Sequence, residues 1–125
     1  MLTNCKATTM LPVTNVARAR SFYEEKLGLR PREISPSGEI LYETDGSTLA
    51  LYPRAEPPKA DHTAISFTVP NIEREVQELR SRGVAFELYD MPNTIQRDGI
   101  YQMGSEKAAW MKDPDGNILC LHQKG

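Results

Sequence analysis

Two cysteines, two histidines and one tryptophan carry most of the chemistry on offer in this 125-residue chain beyond packing and ordinary charge. A thiol such as Cys120 binds soft metals, and it attacks as a thiolate when a base stands beside it. His122 lies two residues further on and alternates onto the same strand face, but it sits near the C-terminal end, where a surface position is expected. No histidine falls directly beside the thiol, so Cys120 is expected to act as a small packing residue. Cys5 and Cys120 lie at opposite ends and form no Cys-x-x-Cys pair, which supports neither a disulfide framework nor a zinc knuckle. Two free thiols are the expectation. Trp110 offers the aromatic surface that a planar or apolar ligand needs.

The elements that must position these residues come as a repeat. Leu11-Pro-Val-Thr-Asn15-Val-Ala-Arg18 and Phe67-Thr-Val-Pro-Asn71-Ile-Glu-Arg74 match at apolar, Val, Asn, β-branched and Arg positions with one constant offset. In each copy an alternating stretch reads as a half-buried strand, with Thr9, Leu11 and Val13 on one face of the first and Ile65, Phe67 and Val69 on one face of the second. Asn15 and Asn71 then cap a helix, because a short amide oxygen accepts a bond from an orphaned N–H of the first turn. The first helix, over 16–27, turns Val16, Ala19, Phe22, Tyr23 and Leu27 inward and closes at Gly28. The second repeats Ile72, Val76 and Leu79 at helical spacing and closes at Gly83.

Strands are predicted at 29–34, 39–44 and 48–52 after the first helix. After the second they are predicted at 85–89, about 100–104, 108–112 and 118–122. Ser35-Pro-Ser-Gly38, Asp45-Gly46 and Asp113-Pro-Asp-Gly116 supply turns. Residues 53–60, with three prolines, read as a linker between module one (about 4–53) and module two (about 61–123) of a single domain over 1–125. Residues 90–99 read as an irregular, polar lid or rim. The fold class is α+β, two tandem βαβββ modules.

Leu11-Pro-Val-Thr-Asn-Val-Ala-Arg-Ala-Arg-Ser-Phe-Tyr-Glu-Glu-Lys-Leu-Gly-Leu29 and Ala109-Trp-Met-Lys-Asp-Pro-Asp-Gly-Asn-Ile-Leu-Cys-Leu121 resemble the opening and the closing strand pair of glyoxalase-like domains. These form the vicinal oxygen chelate superfamily of glyoxalases, bleomycin resistance proteins and extradiol dioxygenases. The resemblance implies a cup-shaped sheet of paired modules with a divalent metal at its floor in catalytic members, held by His, Glu, His and Glu. Laid on this sequence, the four ligand positions fall on Thr8, Ala50, Ala64 and Cys120. A catalytic divalent cation needs about three protein donors, and this set is too poor in donors, so no metal and no cofactor are expected. His62 lies two residues before Ala64 on the same strand face, about 6 to 7 Å away, and reads as a structural or surface residue. By the same resemblance Trp110 is a pocket aromatic, and strand alternation adds Thr8, Met10, Tyr52, Ala64, Ser66, Tyr101 and Cys120 as ligand-facing candidates. Catalytic residues are unassigned.

The net charge of -2, with 15 basic residues scattered among 17 acidic ones, argues against a nucleic-acid partner. The first eleven residues lack a signal peptide's apolar core, and no apolar run approaches a membrane span, so a cytoplasmic protein with no membrane partner is expected. The favoured reading is a metal-free, homodimeric binder of a small apolar or aromatic molecule. Two readings compete with it: a lyase or dioxygenase with an atypical site involving His62, Cys120 or Tyr101, and a domain that serves only protein association.

Overall fold

The computed structural model describes every residue from Met1 to Gly125, and the chain divides into two compact units, Met1–Pro58 and Lys59–Gly125. After a short 3₁₀ turn at Leu2–Asn4, the first unit runs β1 (Thr8–Val13), α1 (Val16–Arg20, continued as a π-helix over Ser21–Lys26), β2 (Pro31–Ile34), β3 (Ile40–Thr44) and β4 (Ser47–Pro53). Its sheet has the order β1-β4-β3-β2, with β1 parallel to β4 and the rest antiparallel. Asn15 caps α1 as expected, its side chain accepting from the Arg18 N–H at 3.0 Å. The helical stretch runs over the predicted residues but widens from Ser21 onward: the Leu27 N–H bonds back to the Phe22 carbonyl at 3.1 Å and the Leu29 N–H to Tyr23 at 3.0 Å. Both Phe22 and Tyr23 are thereby buried. They pack with Leu11, Val13, Ile40, Tyr42, Leu49 and Leu51 as the core of this unit.

The second unit runs β5 (Thr63–Thr68), α2 (Ile72–Ser81), β6 (Ile95–Arg97), β7 (Ile100–Met103), β8 (Glu106–Lys112) and β9 (Ile118–Gln123). Its sheet, β5-β9-β8-β7-β6, repeats the first with one added edge strand. α2 is capped twice: the Asn71 side chain accepts from the Arg74 N–H, and the Gln123 Oε1 at the end of β9 accepts from the Ile72 N–H at 2.8 Å. Ile72, Val76 and Leu79 turn inward toward the buried Ala109, Met111, Leu119 and Leu121. The β8–β9 turn is tied by Asp113, whose Oδ1 accepts from the Asp115 and Asn117 N–H groups at 2.9 and 2.8 Å, while the Asn117 amide donates to its Oδ2 at 2.8 Å. The Asp-Pro-Asp-Gly-Asn signature is therefore a turn device in this chain. No helix is long and apolar enough to cross a membrane.

One expected strand is absent. Residues 85–89 make a single bridge, Phe86 to Met111, plus a 2.8 Å bond from the Glu87 N–H to the Trp110 carbonyl. The outer edge of β8 is shared, since β7 takes 106–108 and this segment reaches only Trp110 and Met111. The Tyr101 hydroxyl occupies both the N–H and the carbonyl of Tyr89, which ends any ladder there. Nor are residues 90–99 wholly irregular. They hold β6, joined to β7 by Asp98-Gly99 with φ of 52° and 81°, the pair of left-handed residues that a two-residue hairpin requires.

Candidate functional site

Each sheet has one side covered by its helix and one open side, and pairing register decides which residues share the open side. In the second unit Trp110 stands opposite Cys120, Ala108 opposite His122, Ser66 opposite Cys120 and Tyr101 opposite Ala108. Lys107, on the other side of β8, pairs with Glu73 of α2. Trp110, Cys120, Ser66, Tyr101, Ala108 and His122 therefore lie together on the open side, with Trp110 half-buried at their centre. Its indole Nε1 donates to the Thr63 hydroxyl at 3.1 Å. Its ring meets Tyr89 and Tyr101 edge-on, with centroids 5.7 and 5.5 Å away. Each such pair contributes about 0.5 to 1.5 kcal/mol beyond area burial, so the indole is fixed in direction. The side chains flanking it are small: Ala108 and Cys120 are buried and Ser66 is exposed.

Alternation fails at one predicted position. The β5–β9 register shifts between Thr63 and Ile65, which leaves Ala64 in a bulge and gives its expected place on the open side to Thr63. Tyr101 is on the open side but only 1 % exposed, its hydroxyl held by the Tyr89 main chain; it props Trp110 from beneath. Tyr89 and Thr63 are the contributors that sequence reasoning missed, and Tyr89 lay in view as an aromatic at the end of the expected strand over 85–89. In the first unit Thr8, Met10, Ala50 and Tyr52 share the open side of β1 and β4. There the Thr8 hydroxyl bonds Thr48 at 2.8 Å, Ala50 is buried, Tyr52 is half-buried and Met10 is exposed.

The residues do not fit a divalent metal held by the superfamily's usual ligands. Ala50 and Ala64 have no donor atom, and Thr8 offers a neutral hydroxyl. Burial pushes the Cys120 thiol up, with a partly opposing hydrogen bond from Ser66, and its sulfur donates to the Leu121 carbonyl at 3.3 Å. No three His, Cys, Asp or Glu side chains gather closely enough to hold a metal ion. His62 is exposed and turned to its neighbour Asp61 at 3.1 Å. His122, expected at the surface, is half-buried on the open side and paired with Glu106 at 3.1 Å. That pairing engages the imidazole with a carboxylate, and burial disfavours the Cys120 thiolate, so the thiol has no uncommitted base beside it.

The chain belongs to the Glyoxalase/Bleomycin resistance protein/Dioxygenase superfamily, whose model matches residues 7–121. It is 27% identical to the uncharacterized protein YurT of Bacillus subtilis (strain 168), over 93% of this chain and 96% of YurT. Among solved structures it resembles TnmS3, an antibiotic binding protein from Streptomyces sp. CB03234, with a TM-score of 0.71 and 20% identity over 100% of this chain and 99% of that one. The fosfomycin resistance protein FosX from Listeria monocytogenes superposes with a TM-score of 0.73 at 14% identity, over 95% and 92% of the two chains. These likenesses establish the α+β fold of glyoxalase-like βαβββ modules.

Proposed function

We propose that this protein binds a small planar aromatic or apolar molecule against Trp110, on the open side of the second unit's sheet, without a catalytic divalent metal. The observation that carries the reading is a half-buried indole braced edge-on by two tyrosines and bordered by alanine, cysteine and serine. A rigid aromatic surface next to small side chains suits stacking of a flat ligand. Lys112 and Glu87, paired at 3.4 Å, form a polar rim near it. TnmS3, an antibiotic binding protein, supports the reading from a relative of the same fold. The donor-poor set Thr8, Ala50, Ala64 and Cys120 supports its metal-free part.

Because Trp110 is the single tryptophan, its fluorescence reports this site alone. A screen of aromatic natural products should yield quenching that Trp110→Ala abolishes, and calorimetry should show Trp110→Phe keeping part of the affinity. Stacking on the indole is worth about 0.5 to 1.5 kcal/mol, a several-fold effect on affinity. If Trp110→Ala leaves the calorimetric affinity of every ligand found unchanged, the assignment is wrong.

A further inference from the structure

The helix side of the second unit's sheet holds a recess of its own, away from the Trp110 side. Strands spaced at about 4.8 Å make a five-stranded sheet about 20 Å wide, and a helix about 10 Å across covers only part of it. α2 packs on β8 and β9, so the helix side of the β6–β7 hairpin is left bare. The result is a groove of about 680 Å³, within the size range of small-molecule sites. Val76, Ile95 and Ile100 give it apolar walls, with Ile95 65% exposed at the rim.

The charges around these walls do not cancel. Lys107 and Glu73 satisfy each other. Arg80 donates to the main-chain carbonyl of Asp98 and lies over the Phe86 ring at 5.5 Å, so its guanidinium has no carboxylate partner. The Arg97 guanidinium lines the groove without a hydrogen bond or ion pair of its own. Two guanidinium groups thus stand against the single remaining carboxylate of Asp98, while the Gln102 amide is engaged with the Gly104 carbonyl at 3.2 Å. A guanidinium fork is the side chain best matched to a planar carboxylate.

We propose that this groove binds a small organic carboxylate with a short apolar chain, the chain lying on Val76, Ile95 and Ile100 and the carboxylate held by Arg97. Arg80 adds positive potential from the helix side. The test is a ¹⁵N NMR titration of the full chain with octanoate, n-octanol and n-octylammonium as probes. Octanoate should shift amides within 76–80 and 95–102, octanol should do so more weakly, and octylammonium should not. Arg97→Glu, at an exposed position, should weaken octanoate by about tenfold or more and let octylammonium shift the same amides, while Trp110→Ala leaves the octanoate affinity unchanged. The proposal is overturned if octanoate leaves these amides unmoved up to its solubility, if octanol binds as well as octanoate, or if Arg97→Glu does not alter the affinity.

Discussion

In the first unit the fully buried Tyr42 donates its hydroxyl to Glu24 at 2.7 Å, and Arg20 donates to the same carboxylate at 2.7 Å. Arg20, helped by the Tyr42 hydroxyl, holds the Glu24 carboxyl below its ordinary 4.5. Burial, reinforced by Glu24, pushes the phenol well above its ordinary 10.0. The two shifts act at opposite ends of the pH scale. As pH falls below about 4.5 the unfolded chain takes up the Glu24 proton first, so stability erodes there; as pH rises past about 10 the unfolded chain loses the Tyr42 proton first, so stability erodes again. Melting temperatures across that range should show both limbs, with Tyr42→Phe flattening the alkaline one and Glu24→Gln the acid one. At neutral pH Tyr42→Phe should lower stability by about 1 to 2 kcal/mol. A variant Tyr42→Phe that loses stability above pH 10 as steeply as the parent would remove the argument. None of this was legible in the sequence, because the contact joins a helix to a strand through a local widening of the helix. The alignment of Trp110, Cys120 and Ser66 was legible, because alternation along regular strands preserves faces. Ala64 shows the limit, since one bulge exchanges it for Thr63.

Among the elements, the caps at Asn15 and Asn71, both helices and the turns at Ser35 to Gly38 and Asp113 to Gly116 follow from local chemistry and were readable as such. β6 was not, because three exposed residues, Ile95 to Arg97, carry no alternation; the Asp98-Gly99 pair was the available signal. Its turn glycine can be compared with the one between β3 and β4. Gly46 has a φ of 80° with nothing near an added Cβ, whereas Gly99 has a φ of 81° and an added Cβ would lie 3.0 Å from Arg80 Nη2 and 3.2 Å from Phe86 Cβ. Gly46→Ala should therefore lose only the backbone contribution of about 1 to 2 kcal/mol. Gly99→Ala should lose at least about 1 kcal/mol more, from crowding against Phe86 and the α2 end. Denaturant midpoints of the two variants check this, and equal losses would mean that the hairpin yields freely against α2.

For the whole molecule, the open side of each sheet and the donor-poor ligand positions lead to one measurement, native mass spectrometry of the purified protein. On the proposed reading the spectrum shows no stoichiometric Zn, Ni, Mn or Fe, and treatment with a chelator changes neither ligand affinity nor melting temperature; the homodimer expected from the sequence is read from the same spectrum. Metal that survives dialysis would refute the metal-free part. The repeat made the doubling of the module legible from Asn15 and Asn71 alone, while the added fifth strand of the second unit had no counterpart in the first to reveal it. The topology of each unit also governs how it comes into being. β1 pairs with β4 and β5 with β9, the first strand of a unit beside its last, in parallel. During synthesis β5 leaves the ribosome long before its neighbour exists, so its hydrogen-bonding edge stays open until Ile118–Gln123 emerges to fill the gap between β5 and β8. The second half of the chain is thus exposed to mispairing for nearly the whole time it takes to make, and a chaperone that shields a lone strand edge would raise its folding yield more than one that shields the helices.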